Sequence, residues 1–406
     1  MTRTMKLAAL LACATALSGQ KAPPPDPMTI IKAQIQPITT DGQGHFSGHA
    51  WNALVADGAA AQFTMIGEQH GSGSIALLEA ALQRDLARRG YTHSALEVGP
   101  DSTAFVERLI RRGPGQIQRF IGAPGHGFTI PFLFFGEEAD MAEAMVRSSP
   151  DRRQALFGLD QEFVGGGPIL VENLHRLART AAERKAVATL RAASAKDPMM
   201  LGSMSEQQLA ALEKGFSGNA PALKVIDAVR TSVAIYRPYM GGSGSFYDSN
   251  LARENYMKTN FVRQFTEAKR RNGKAPKVFF KFGGYHAMRG LGGTNVPALG
   301  NFLGEWGLPQ GYRLVNVMID CDGGEAMNPQ TNKAGPCESY FSKDALLSRA
   351  MAGGPAVQIV NLRELRPQLD ALKSADAETR KLILAFDYYI AVKGGRAARP
   401  LGTLPS

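Results

Sequence analysis

Two histidines close the same short pattern in distant parts of the chain. Gly67-Glu68-Gln69-His70 follows the apolar run 61–66, and Gly283-Gly284-Tyr285-His286 follows the run 277–282. A glycine where a strand stops lets the backbone turn sharply and lets a ligand come close. Glu68 and His70, two apart in a turn, can face one pocket, where an imidazole serves as metal ligand or general base. Singly, each motif reads more readily as a capping histidine in a surface loop. Glu97 ends a further apolar stretch, Ser94-Ala95-Leu96-Glu97-Val98-Gly99. A carboxylate there is costly to bury unless paired or ligating; capping the next helix is its other reading. Together His70, Glu97 and His286 make a His/His/carboxylate set, suited to zinc, manganese, cobalt or iron with open positions for water and substrate.

Other residues could join this set. Arg253 lies on a long helical stretch before the second motif and could pair with Glu97 or Asp160, or hold a substrate carboxylate; a solvated arginine beside Glu254 is the bland alternative. Asp160 and Glu162, in Gly158-Leu159-Asp160-Gln161-Glu162, are also strand-end acids, and Asp160 is the better candidate because the turn follows it directly. His126 sits in a glycine-containing loop, as a lid residue or simply exposed. Tyr285 is a candidate oxyanion donor or one more buried aromatic. Gly71-Ser72-Gly73-Ser74 reads as an anion nest or as a turn and helix cap. His45, His49, His93 and His175 read as structural. There is no Gly-x-Ser-x-Gly elbow, Walker loop, dinucleotide fingerprint or His-Glu-x-x-His.

These residues need elements to hold them. Strands are expected at 61–66, 93–98, 129–135, 154–159, 277–282, 311–319, 356–362 and 388–392. Ile75, Leu78, Leu82 and Leu86 recur at helical spacing. Further helices are expected from Asp101 to about Arg112, over 246–271 with Ser249 or Asp248 as cap, and around 377–384. Strands alternating with helices imply a mostly parallel central sheet flanked by helices. Glu68, His70, Glu97 and Asp160 then fall at the carboxyl ends of strands, where such sheets gather their chemistry. Residues 165–240 carry leucine- and alanine-rich helical patterns and read as a helical insert.

The bulk composition is globular: 406 residues, 44% hydrophobic and 20% charged. The net charge of +10 is spread out, without the basic and aromatic interleaving of a nucleic-acid platform, so no nucleic-acid partner is expected. Arg3 and Lys6 before a short apolar stretch read as an export signal, too short to span a bilayer. Residues 1–16 are the expected signal, with Ala14-Thr15-Ala16 for cleavage. Alternatively Leu10-Leu11-Ala12-Cys13 is a lipoprotein box and Cys13 carries a lipid, the one membrane link expected. A Pro-rich tether over 17–29 leads to a single α/β domain over 30–406. Cys321 and Cys337, flanking a Gly/Asn/Pro-rich segment, are expected to form a disulfide in an oxidising compartment, periplasmic or external.

With these residues in order, the chain resembles the group that joins erythromycin-esterase-like proteins, ChaN-type haem-binding lipoproteins and TraB/Tiki proteases. The matching pieces are Ile66-Gly67-Glu68-Gln69-His70-Gly71, Ala95-Leu96-Glu97-Val98-Gly99, Arg253-Glu254-Asn255-Tyr256-Met257, Gly283-Gly284-Tyr285-His286 and Phe386-Asp387-Tyr388-Tyr389-Ile390. Glu68-Gln69-His70 has one residue fewer between acid and imidazole than erythromycin-esterase motifs usually have, and is closer to ChaN and Tiki. The resemblance implies an α/β sandwich with histidines and acid facing one cleft. It implies His70 as general base or metal ligand, Glu97 as its acidic partner, His286 as the second histidine and Arg253 as a positioning residue. The expected function is an exported hydrolase acting on a small-molecule or peptide ester or amide, with Glu68, His70, Glu97, Arg253 and His286 in its centre. The alternative is a ChaN-like lipoprotein that holds haem or iron without catalysis.

Overall fold

The computed structural model describes residues 26–402 except 152 and 330; the expected export signal, Cys13 and the tether as far as residue 25 lie outside the described residues. In chain order the strands are β1 (Ile35–Pro37), β2 (Thr39–Thr40), β3 (Phe46–Ser47), β4 (Phe63–Glu68), β5 (Tyr91–Leu96), β6 (Leu156–Gly158), β7 (Lys277–Gly283), β8 (Leu314–Asn328), β9 (Lys333–Pro336), β10 (Val357–Asn361) and β11 (Tyr388–Gly395). Nine of them, among the described residues, form one sheet in the order β1-β10-β11-β8-β4-β7-β5-β6, with β9 paired to β8; β2 and β3 form a separate hairpin. The strands from β11 to β6 run parallel, whereas β1, β10 and β9 pair antiparallel. This is the α/β architecture with a mostly parallel, helix-flanked sheet that the sequence pattern predicts.

Central strands read as unbroken apolar runs because both of their faces are covered. β4 is buried at every position. One face packs Phe63, Phe280 and Phe282 against Met257, Phe261 and Phe265 of the helix Phe246–Asn272, with Phe63 meeting Phe261, Phe265 and Phe280 edge-on at 5.5–5.8 Å. The other face packs Ile66, Phe279, Val315 and Val317 against the helices His49–Ala60 and Gly73–Ala87. Register then fixes the chemistry: Glu68 lies opposite Gly283, and Leu96 opposite Lys281 on one side and Gly158 on the other. The carboxyl ends of β4, β5, β6 and β7 therefore open on one edge.

Several expectations need correction. Residues 129–135 form no strand. Ile130, Leu133, Phe134 and Phe135 bury themselves in a cluster with the helices Pro100–Arg112 and Gly136–Ser148, so the apolar run reflects packing without strand pairing; Pro131 has no amide hydrogen to offer a ladder. β8 does not stop at 319 but continues through Cys321 to Asn328, with Gly323 and Gly324 at positive φ, and returns as β9. Ser245, not Ser249 or Asp248, caps the long helix, accepting from the Asp248 amide at 3.2 Å. The stretch expected as a helical insert is helical, with its own apolar cluster of Leu170, Leu174, Leu209, Phe216, Ile226 and neighbours. Cys321 and Cys337 are joined, with their Cα atoms 6.2 Å apart.

Candidate active site

β4 ends in Glu68, and the turn after it carries His70. The ring donates from Nδ1 to Glu68 Oε1 at 2.8 Å, while Nε2 stands 3.8 Å from Glu97 Oε2. The His70 side chain is 21% exposed, and one face of it stacks on Phe132 at 4.1 Å. Phe132 holds φ +59°, a conformation that costs a bulky residue about 1–3 kcal/mol and that turns its ring onto the imidazole. Gly283 must be glycine for a matching reason: a Cβ there would lie 2.7 Å from His70 Nε2.

Beneath the pair lies a buried charge cluster that the sequence reading missed. Lys281, inside β7, donates to Glu68 and to Glu138 Oε1 (2.9 Å) and lies 3.9 Å from Glu79. Burial works against an ionised Glu68, yet the Lys281 ammonium and the His70 ring hold its carboxyl down at about 2. Glu138 is pushed up to about 7, by burial first and by Glu68 in part, against the pull of Lys281. Burial and the Glu68 charge likewise raise Glu79 well above the usual carboxylate range. Only one signal pointed here: a lysine in the middle of an otherwise apolar strand.

Glu97, just past β5, is gripped from three sides. Arg253 donates from Nη2 to Oε1 at 2.8 Å, the Gly283 amide donates to Oε2 at 2.7 Å, and His286 Nε2 lies 3.4 Å from Oε1. Against burial, His286, Arg253 and His70 hold this carboxyl well below its usual range. Arg253 also donates from Nε and Nη2 to the two oxygens of Asp160, at 2.9 and 2.6 Å, so both partners considered for it are engaged. His286 donates from Nδ1 to Glu254 Oε1 at 2.6 Å. Burial alone would lower its pKa, but Glu97, and then Glu254, raise it to about 10. It is an imidazolium between two carboxylates. Glu254, the other missed member, is the residue next to Arg253 on the same helix.

His70, Glu97, His286, Arg253 and Glu68 thus converge. As a donor set for a divalent ion they do not fit: both nitrogens of His286 face carboxylates, and Glu97 is already taken by a guanidinium and an amide. Among the described residues no group of three or more His, Cys, Asp or Glu side chains is spaced to hold a metal ion. The remaining candidates lie elsewhere. Glu162 caps the helix Pro100–Arg112, accepting from the Asp101 and Ser102 amides at 2.8 and 3.2 Å. Ser72 caps the helix Gly73–Ala87, and the Gly73 amide is taken by the Arg396 carbonyl, so that stretch is a cap rather than an anion nest. The His126 ring donates from Nδ1 to the Phe120 carbonyl at 3.1 Å and packs on the Phe120 ring. Tyr285 is not buried but 41% exposed.

Sheet and site together define an α/β protein with the fold of erythromycin-esterase-like proteins. Three solved structures share it: a succinoglycan biosynthesis protein (TM-score 0.61, 15% identity, covering 92% of this chain and 97% of that one), a Bacillus cereus protein (0.60, 14%, 92% and 98%), and a mutant of the erythromycin esterase EreC in its open conformation (0.58, 16%, 90% and 98%). No family model and no curated protein matches the chain. The likeness is one of fold.

Proposed function

We propose that this chain is an exported hydrolase in which His70 activates water against an ester or amide carbonyl of a small molecule or peptide. The carrying observation is the Glu68–His70 pair, bonded through Nδ1, with Nε2 making no hydrogen bond among the described residues, on a side chain that reaches solvent. An ionised carboxylate can only accept, so Nδ1 carries a proton, and in the neutral imidazole the lone pair is then on Nε2. That lone pair takes a proton from water, and the water oxygen adds to the carbonyl carbon while the π pair moves onto the carbonyl oxygen. On collapse the bond to the leaving alcohol or amine breaks, and the proton on Nε2 passes to the leaving atom. Lys281 keeps Glu68 charged for this. Glu97, 3.8 Å from Nε2, is spaced to hold the attacking water and to steady the imidazolium. Arg253 and His286 fix Glu97 and add positive charge beside the carbonyl.

The Cys321–Cys337 disulfide supports an oxidising compartment. No helix among the described residues is long and apolar enough to cross a membrane; a lipid on Cys13 is the membrane link we propose. The test is His70→Ala on a panel of p-nitrophenyl esters and peptides. Turnover is expected to fall by at least about 10²-fold with thermal unfolding nearly unchanged; a variant as fast as the parent removes His70 from the mechanism.

A further inference from the structure

Hydrolysis through His70 leaves one requirement unmet: a donor for the carbonyl oxygen as it becomes anionic. The two cations beside Glu97 are drawn mostly into ion pairs, with only Nη1 of Arg253 unbonded among the described residues. Arg253 spends Nε and Nη2 on Asp160 and Glu97, and His286 faces Glu254 and Glu97 with both nitrogens. The Gly283 amide is spent on Glu97 as well.

Tyr340 is not committed. Its hydroxyl has no hydrogen-bond partner among the described residues, and it is not one of the sealed, unpartnered polar atoms, so its oxygen keeps contact with solvent. Its ring lies against the Gly283-Gly284 turn beside Met318 of β8: a Cβ on Gly284 would meet Tyr340 Cε2 at 3.3 Å, just as one on Gly283 would meet His70 Nε2 at 2.7 Å. Imidazole and phenol therefore flank the same two-residue stretch of backbone. Tyr285 stands beside the phenol, with ring centroids 5.1 Å apart. The loop that carries Tyr340 is held firmly. Its amide donates to Asp320 at 3.2 Å, Ser339 Oγ donates to the same carboxyl at 2.6 Å, and Cys337, three residues earlier, is tied to Cys321.

We propose that Tyr340 is a further catalytic residue, whose hydroxyl donates a hydrogen bond to the substrate carbonyl oxygen as negative charge gathers on it. This rests on the hydrolase reading above. The phenol proton stays on Tyr340 throughout; the bond only strengthens as the carbonyl π pair moves to oxygen. Burial, and then the charges of Glu97 and Glu68, hold the phenol above its usual range, which keeps it a donor at any pH where His70 can act as base.

The hydroxyl bonds to nothing among the described residues, so Tyr340→Phe is expected to leave the structure intact, as thermal unfolding would show. With p-nitrophenyl acetate and a longer p-nitrophenyl ester, Tyr340→Phe is expected to lower kcat about 10²-fold with KM within about twofold of the parent, the signature of a contact made only in the transition state. Phenylphosphonate, a tetrahedral anion, is expected to inhibit the parent and to lose most of its affinity for the variant. If His70→Ala is inactive while Tyr340→Phe keeps kcat within about threefold of the parent, Tyr340 is overturned and the hydrolase reading stands. If His70→Ala is as fast as the parent, or the parent hydrolyses no member of the ester and peptide panel, both fall together.

Discussion

At His286 two carboxylates close on one imidazole, and that has a consequence in pH. Its folded pKa is raised from 6.5 to about 10. A group raised in this way contributes stability that is complete below the unfolded value and is lost as pH climbs through the folded one. The unfolding free energy, read from urea titrations, is therefore expected to fall between about pH 6.5 and 10, by about 5 kcal/mol at most, and His286→Gln should flatten that slope; an unchanged slope in the variant would show that the ring is not held as a cation. The residues of this centre differ in how readable they are. His70, Glu97, Asp160 and His286 stand where apolar runs break at glycine or a turn, so their position alone flags them. Glu79, Glu138 and Glu254 sit inside helices, where sequence does not tell which face turns inward. Lys281 was visible in principle, as a charge within a buried strand, but its meaning depends on partners 143 and 213 residues away.

The β8–β9 hairpin reaches back to the turn that carries His70. Gly71, directly after His70, holds φ +80° and presses against the Met327 carbonyl so closely that any Cβ would collide with it. The Met327 amide in turn donates to the Gly71 carbonyl at 2.8 Å. The disulfide ties the root of this hairpin to the loop of Tyr340. Replacing Cys321 and Cys337 together with serine is expected to cost about 2–4 kcal/mol, the usual range for a short closed loop, measured by denaturant unfolding against the oxidised parent. The same variant should lower ester turnover, since the loop of Tyr340 then loses its covalent tie to β8; full activity would detach that tie from catalysis. The pairing was legible from two cysteines around a turn-rich segment. The extension of β8 was not, because Gly323 and Gly324, which read as a loop, lie within the strand. Residues 129–135 failed in the opposite sense: apolar alternation there marks burial under two helices, and only the sheet's own edge decides which apolar runs pair.

Over the whole molecule, the sheet was readable in type and in most of its strands, because parallel βαβ units repeat one local pattern. The strand order was not, since register between segments hundreds of residues apart leaves no local trace. The chain's late segment shows what such long-range contacts do. Residues 396–402 cross the site's outer side: Ala397 bridges Ser72, Pro400 bridges Phe135, and the Gly136 amide donates to the Arg399 carbonyl at 2.7 Å. Arg396 donates to Glu137 Oε1 at 2.6 Å, and the Arg399 amide to its Oε2 at 2.9 Å. This strap pins the segment whose Phe132 covers His70. Ending the chain after Gly395 leaves β11 whole and is expected to remove about 1–3 kcal/mol of stability and most of the turnover; a truncated chain with parental kcat would mean that Phe132 needs no such pinning. During synthesis His70 emerges more than three hundred residues ahead of the strap. Until those residues arrive, Ser72, Phe135 and Gly136 lack these partners, so the segment that lays Phe132 on the imidazole is the last part of the centre to be pinned.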